Sequence, residues 1–201
     1  VAGAIVRVPL RFEHWVRSLP AKRRAKKEQK YYFERLAPIT LPQSEEPLVS
    51  IVIPVYNQFP FTYNCLRTIA AECAGMEYEV ILADDNSTDE TCRITEKVSG
   101  LIISRNAENQ RFLRNCNNAA QLARGKYVMF LNNDTEVQPE WLQSLCETIE
   151  ADDSIGMVGS KLIYANGQLQ EAGGILWADG SAWNYGHGDD PEKSEYNYVK
   201  E

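Results

Sequence analysis

From residue 48 onward, short apolar runs rich in β-branched residues alternate with amphipathic segments, the pattern of βα units around a mainly parallel sheet. The runs predict strands over residues 49–55, 79–83, 100–104 and 127–131, and helical spacing predicts helices over 61–74, 88–98, 112–123 and 139–151. Ser87-Thr88-Asp89-Glu90 offers a cap and first-turn acids, and Pro139-Glu140 a proline and an acid at a helix entry. The run Tyr127-Val128-Met129-Phe130-Leu131 reads as a strand buried on both faces, and it stops abruptly at Asn132-Asn133-Asp134. Polar residues at the carboxyl end of a parallel strand are where open α/β sheets bind ligands.

The pattern changes on both sides of this region. Residues 155–164 and 169–177, with turn signals at Ala165-Asn166-Gly167 and Ala178-Asp179-Gly180, predict strands and hairpins. Residues 183–201, rich in Gly, Asp and Tyr and without a clear period, read as a loop. Before residue 48, segments 11–16 and 22–36 could each be helical, with Pro20 between them, and Pro38, Pro42 and Pro47 mark an extended linker. The expected organisation is a basic helical arm with a Pro-rich linker over 1–47 and an α/β domain over 48–201.

Charge sharpens that division. Residues 1–47 hold 10 Lys and Arg against 5 Asp and Glu, and the remainder holds 11 against 23, so a basic arm precedes an acidic body. An acidic body argues against general nucleic-acid binding and suits a site that recruits a divalent cation. The cluster Lys22-Arg23-Arg24-Ala25-Lys26-Lys27, with Trp15, Tyr31, Tyr32 and Phe33 as interfacial aromatics, allows contact with a membrane surface or a nucleic acid; the alternative is a solvated connector helix packing its aromatics on a neighbouring domain. The five cysteines are odd in number, lie mostly in segments predicted helical and lack zinc spacing, which predicts a reducing, cytoplasmic setting. No apolar run approaches the roughly 20 residues that span a bilayer. The chain does not begin with Met, and residues 1–8 are too short and interrupted for a signal peptide, so a longer polypeptide is expected.

Three strand ends carry candidate chemistry. The first ends in Pro54-Val55-Tyr56-Asn57 and continues Gln58-Phe59-Pro60, with no glycine, which excludes the usual dinucleotide loop and the P-loop. Tyr56 could cover a nucleobase and Asn57 bond its edge; equally, Pro54 could end the strand and Tyr56 pack. The second ends in Ala83-Asp84-Asp85-Asn86-Ser87-Thr88-Asp89. Adjacent carboxylates on a strand point to opposite sides, so Asp85 is assigned to the nucleoside and Asp84 or Asp89 to the turn, the alternative being that both cap the next helix. The third delivers Asn132, Asn133 and Asp134. Asp134 alone is a carboxylate, and one or two carboxylates are what Mg2+ or Mn2+ takes when phosphate oxygens and water complete its shell.

The segments VSIVIPVYN, ILADDNSTDET, NQRFLRNCNNAAQLARGKYVMFLNND and TEVQPEWL, in this order, resemble those of the family 2 glycosyltransferases with the GT-A fold, over about residues 48–165. The stretches from Gly156, Gly167 and Trp183 are similar to bacterial members that build surface polysaccharides. The resemblance implies transfer of a sugar from a UDP-, GDP- or dTDP-sugar to a hydroxyl of a glycan or lipid-linked acceptor, with inversion. It also implies that Pro54, Tyr56 and Asp85 hold the nucleoside and that Asn132-Asn133-Asp134 occupies the place of the Asp-x-Asp metal motif, Asp134 being both metal ligand and catalytic group. Asn133 and Asn132 depart from that acidic pattern. Asn117 matches an amide on the third helix, and Arg111, where many members have glycine, could reach the donor phosphates or serve as an exposed helix entry.

Family members place the base that activates the acceptor in a later segment, expected here beyond Glu201. Asp179, Asp189, Asp190 and His187 are stand-ins, each in a turn or a glycine-rich stretch. His14 has no partner pattern. The expectation is therefore the donor-binding part of a larger GT-A enzyme, cytoplasmic or peripheral at the inner face of the membrane. The alternative is a non-catalytic nucleotide-sugar-binding or scaffold module. A sugar nucleotidyltransferase is disfavoured because the first strand lacks a glycine-rich basic loop.

Overall fold

The computed structural model describes residues 5–8 and 32–197. In chain order the strands are β1 (Ile5–Val8), β2 (Ile39–Thr40), β3 (Val49–Val55), β4 (Tyr78–Asp84), β5 (Val98–Ser99), β6 (Leu101–Arg105), β7 (Tyr127–Phe130), β8 (Glu136–Val137), β9 (Lys161–Tyr164), β10 (Leu169–Glu171), β11 (Gly174–Leu176) and β12 (Ala182–Asn184). The α-helices are α1 (Phe59–Glu72), α2 (Arg111–Ala120) and α3 (Trp141–Glu150). Among the described residues, contacts define two units, one of 32–70 with 75–134, the other of 5–8, 71–74 and 135–197.

The first of these is built on a parallel sheet in the order β6-β4-β3-β7. Its inner strands, β3 and β4, are buried at every position, which is why both read as continuous runs. The register aligns Val52 with Ile81 and Phe130, and Ile81 with Ile102, in one row on one face. There Val52, Ile81 and Ala83 close on Ala119 of α2, with Ile102 and Ala123 packed against them. The run ending at Leu131, expected to be buried on both faces, is instead the edge strand β7: it lacks a second neighbour among the described residues, so Val128 and Phe130 remain exposed.

At the amino ends of the strands a polar clasp replaces apolar packing. Glu79 of β4, almost fully buried, accepts from Ser50 Oγ (2.6 Å), Arg124 N (2.8 Å), Arg124 Nε (2.9 Å) and Arg124 Nη2 (2.6 Å). Gly125 runs so close to β3 that a Cβ there would lie 2.6 Å from Ser50 N, which explains a glycine at this entry to β7. β2 and β5 pair in parallel at one side. Residues 32–35 form a helical turn whose Phe33 is fully buried, 5.0 Å from the Phe59 ring and under the Arg93 guanidinium. Phe33 is therefore not an interfacial aromatic but a core residue, as the packing alternative had it. The basic cluster and the segments expected to be helical over 11–16 and most of 22–36 lie outside the described residues.

The helix expected over 88–98 is a shorter 3-10 helix, Glu90–Glu96. Its carboxyl end is drawn into β5, and its amino end is fixed by Asp89, whose Oδ1 accepts from Thr91 N (3.0 Å). The other oxygen of Asp89 accepts from Phe59 N (3.0 Å), so one carboxylate caps two helical starts.

In the second unit β1 pairs antiparallel with β8 and parallel with β9, and β10 completes the sheet order β10-β9-β1-β8. Residues 5–8, assigned from the sequence to the arm, thus add a strand to the sheet of residues 136–171. α3 begins after Glu140, whose φ is 64°, with Pro139 outside it, and Trp141 is fully buried with its Nε1 donating to Ser160 Oγ (2.9 Å). The strand expected from residue 155 begins only at Lys161. The stretch 183–201, read as a loop, holds the end of strand β12, which pairs with β11, and a 3-10 turn at Ser194–Tyr196. Among the described residues no helix is long and apolar enough to cross a membrane.

Candidate functional site

The carboxyl ends of β3, β4 and β7 lie side by side, because Pro54 is in register with Ala83, Val55 with Asp84, and Leu131 N donates to Val52 O (3.0 Å). Every residue predicted for the donor site leaves the sheet at this edge or on the loops and helix that follow it.

The two adjacent carboxylates diverge as strand parity requires. Asp84, buried, accepts from Ser87 N (2.8 Å) and pairs with Arg105 Nη1, while Arg105 Nη2 donates to Ser87 O (2.7 Å). Partial burial lowers the Arg105 pKa, but Asp84 and Cys92 beside it leave it raised above its ordinary value. Asp84 and Asp89 together hold the turn. Asp85 points the other way and is also buried: Oδ1 accepts from Gln110 N (2.7 Å) and Asn106 Nδ2 (2.9 Å), and Oδ2 from Arg111 N (2.9 Å). Its carboxylate is turned onto the entry of α2, where Arg111 has a φ of 63°. An L residue there costs about 1 kcal/mol, and the bond to Asp85 holds it.

The amide oxygen of Asn57 is engaged within the protein. Its Oδ1 accepts from Thr88 N (2.7 Å) and Asp89 N (3.3 Å), and its backbone N donates to Ser87 Oγ (2.7 Å), with φ at 58°. It ties the end of β3 to the loop after β4. Pro54 is buried, and Tyr56 is 54 % exposed, so its ring is accessible for stacking.

On α2 the buried amide is Asn115, not Asn117. Asn115 Nδ2 donates to Ala83 O (2.7 Å), and its Oδ1 accepts from Asn106 Nδ2 (2.8 Å), joining the helix to the strand and to Asp85. Asn117 is exposed. Helix phase held the signal: Cys116 and Ala119 face inward, which turns 115 toward the sheet and 117 away. Asn106 and Arg105, the other two groups missed, carry no motif; their role arises because β6 neighbours β4. The exposed Arg111 side chain lines a surface depression of about 500 Å³ with Glu108, Asn109, Gln110, Leu113 and Arg114.

At the third strand end, Asn133 Nδ2 donates to Thr62 Oγ1 (2.9 Å), and Cys65 Sγ–H contacts Asn132 O (3.8 Å), fixing the corner against α1. Asp134 is half-buried and Asn132 exposed. Among the described residues no group of three or more His, Cys, Asp or Glu side chains has the arrangement of a metal site. One carboxylate with amide oxygens is a hard donor set that fits Mg2+ or Mn2+ only where phosphate oxygens complete the shell.

The four stand-ins for an acceptor base lie in the other unit and serve its turns. Asp179 accepts from Ser181 N (2.9 Å) and Oγ (2.7 Å), Asp190 from Glu192 N (3.0 Å), and Asp189 from Lys193 Nζ (2.7 Å) and Tyr196 Oη (2.9 Å). These bonds hold the Asp189 carboxyl at about 2. His187 Nδ1 is 3.2 Å from Gln170 O.

Comparison with known proteins adds the following. The model of the family described as "Glycosyl transferase family 2" matches residues 50–188. The chain is 30 % identical over 148 residues to the O-antigen biosynthesis protein RfbC of Myxococcus xanthus, covering 72 % of the chain and 12 % of that protein. It is 35 % identical over 114 residues to an uncharacterized protein of Mycobacterium tuberculosis, covering 56 % of the chain and 35 % of that protein. The chain thus spans about a third or less of the length of these relatives. Among solved structures, a mannosyltransferase from Pyrobaculum calidifontis in complex with GDP-Man and Mn2+ matches with a TM-score of 0.50 at 20 % identity, over 68 % of the chain and 42 % of its own. That likeness is one of fold: the parallel sheet flanked by helices is GT-A-like.

Proposed function

The chain belongs to glycosyl transferase family 2, and on that premise we propose that it binds a nucleoside diphosphate sugar at the β3-β4-β7 corner and moves the sugar to an acceptor hydroxyl. The setting proposed is the synthesis of a bacterial surface polysaccharide, in keeping with the similarity to an O-antigen biosynthesis protein. The single observation that supports this reading is that β3, β4 and β7 end side by side, with Pro54 and Asp85 at two of these ends and Asp134 in the segment that follows the third.

In this reading Tyr56 stacks on the base, and Asp85, by fixing Gln110 and Arg111, shapes the wall along which the nucleoside lies. The Arg111 side chain meets the diphosphate. Asp134, with the amide oxygens of Asn132 and Asn133, would hold a Mg2+ or Mn2+ ion. When bound, such an ion supplies positive charge against the departing diphosphate. The acceptor hydroxyl attacks the anomeric carbon in line, with inversion, its C–O bond forming as the bond to the nucleoside diphosphate breaks and its proton passing to a general base outside the donor corner.

The test is donor binding and turnover in the full-length protein. At an effective dielectric near 20, charges about 4 Å apart interact by about 4 kcal/mol, about three decades in rate. Asp134→Asn is expected to lower sugar transfer by a hundredfold or more with the circular dichroism spectrum unchanged; equal turnover would remove Asp134 from the mechanism. A second reading, a non-catalytic nucleotide-sugar binder, is favoured by the amide at Asn133. Calorimetric titration of UDP- and GDP-sugars separates the two: binding strengthened by Mn2+ supports the transferase, and binding indifferent to Mn2+ supports the binder.

A further inference from the structure

The unit that contains residues 135–197 carries an exposed aromatic surface formed by none of the residues proposed for the donor site. β11 and β12 form a two-stranded antiparallel ribbon in which Ile175 faces Trp183, and Trp177 N donates to Ser181 O (2.9 Å), extending the ladder by one more pair. Strand parity then places Ile175, Trp177 and Trp183 on one face, with the two indoles as diagonal neighbours across the strands. Both are largely exposed, Trp177 at 55 % and Trp183 at 66 %. An isolated ribbon is at best marginally stable, and two open indoles on one are expensive to leave in water unless they have a ligand.

Beside Trp183 the surface is concave. A depression of about 420 Å³ is lined by Ile175, Trp183, Asn184, His187, Asp189 and Tyr196, together with the backbone of Gly186 and Gly188. Gly186 has a φ of 75°, and a Cβ there would fall 2.7 Å from the Tyr196 ring, so this wall closes on the ring only with glycine. The Asp189 carboxylate is already taken by Lys193, Tyr196 and the backbone of Asp190. What the depression offers a ligand is therefore indole and phenol surface, an amide, an imidazole and backbone groups, with little net charge.

We infer that this ribbon and depression bind a neutral stretch of the acceptor glycan, one pyranose ring lying on the Trp183 indole and a second reaching Trp177, with Asn184 and His187 bonding ring hydroxyls. A pyranose presents an apolar face of C–H groups and a rim of hydroxyls, and an aromatic plate with polar edges complements both. The volume is within the range of small-molecule sites, roughly 300–1,000 Å³. An anionic ligand would find no Lys or Arg in the lining, and the one carboxylate a cation could meet, Asp189, is already paired with Lys193. The inference rests on the transferase reading, which requires a second carbohydrate besides the donor, and it names that carbohydrate's point of attachment.

The experiment uses the full-length protein and its Trp177→Ala, Trp183→Ala and Trp183→Phe variants, probed with an array of neutral oligosaccharides of three to six sugars and, separately, with UDP- and GDP-sugars by calorimetry. The expected result is array binding by the wild type, weakened tenfold or more in Trp183→Ala, weakened less in Trp183→Phe, which keeps a ring, and donor affinity unchanged in all. Should Trp183→Ala not fold, Trp177→Ala, beside the turn that closes the ribbon, carries the same expectation of weakened binding. The inference is overturned if the wild type binds no array glycan, or if binding survives removal of either indole. It is also overturned if sedimentation shows wild-type self-association that the Ala variants abolish, since the face would then be a protein interface. Failure of the transferase reading shows differently, as donor binding that is absent, or indifferent to Mn2+, in every protein, wild type included.

Discussion

The replacement Asp85→Asn separates the two duties assigned to this carboxylate. Its three hydrogen bonds come from Gln110 N and Asn106 Nδ2 on Oδ1 and from Arg111 N on Oδ2. An asparagine keeps one oxygen, and it loses least by keeping Oδ1, since Arg111 N also reaches Asn109 Oδ1 (3.1 Å). One bond to a charged acceptor then disappears, worth about 1.5–3 kcal/mol, and the remaining two lose the help of the charge. A local cost of about 2 kcal/mol follows, which is roughly a thirtyfold loss of protection at ~1.4 kcal/mol per decade. Hydrogen exchange read at the Gln110 and Arg111 amides measures it directly, with the amides of Val80 and Leu82 in β4 as an internal standard. On the proposed function, UDP-sugar affinity should fall in parallel, because the wall assigned to the nucleoside has loosened. Unchanged exchange at Gln110 and Arg111 would refute the argument that Asp85 acts through the α2 entry. Loss of donor binding with exchange intact would instead place the carboxylate on the nucleoside itself.

Two further replacements test neighbouring claims. Arg111→Gly relieves the left-handed backbone at φ 63°, so the variant should be more stable by about 1 kcal/mol in urea titrations; a rise in donor KM with unchanged kcat would identify the lost guanidinium as a phosphate contact, and an unchanged KM would make it a helix entry only. For Glu79, burial raises the pKa, but the bonds from Ser50 and Arg124 outweigh it and leave the carboxyl below its ordinary value. The sign is that of a depressed acid: its contribution is complete above about pH 4.5, the unfolded value, and is lost as pH falls through the folded value. Urea midpoints of the wild type should therefore drop below pH 4.5 by more than those of Glu79→Gln, which should be less stable by about 1–2 kcal/mol at pH 7, a buried-bond figure reduced because Arg124 is half exposed. Parallel pH curves would show that the clasp contributes nothing.

Legibility along the chain followed how far each element's burial is set by its own residues. β3 and β4 announce themselves because an inner parallel strand must be apolar at every position, and both were placed to within a residue of their ends. β7 carries the same composition yet is an edge, since the identity of its neighbours is a property of the sheet and not of the run. The segment 88–98 has helical signals at its start but ends in β5, whose pairing with residues 39 and 40 no local pattern records. β12 was hidden for the same reason: Trp183 becomes a strand residue only by meeting Ile175.

The same distinction sorts the candidate site. Strand parity correctly sent Asp84 and Asp85 to opposite sides, because parity is local. What each carboxylate then met was set by distant segments, Asp84 by Arg105 and Asp85 by Gln110 and Arg111, and Asn57 was likewise drawn to Thr88 and Asp89. Motif residues therefore divide into two kinds. Asp84, Asp85, Asp89 and Asn115, and Asn57 through its Oδ1 and backbone N, bind the neighbouring loops together, and on the proposed function a ligand feels them through the backbone they fix. Tyr56, Arg111 and Asp134 stand half-buried or exposed at the sheet edge, and it is to them that the proposed function assigns direct contact with a nucleotide. Replacing a residue of the first kind should alter exchange and affinity together, and replacing one of the second kind should alter affinity or turnover with exchange untouched; that contrast, measured residue by residue, is what distinguishes a built donor site from a cluster of helix caps.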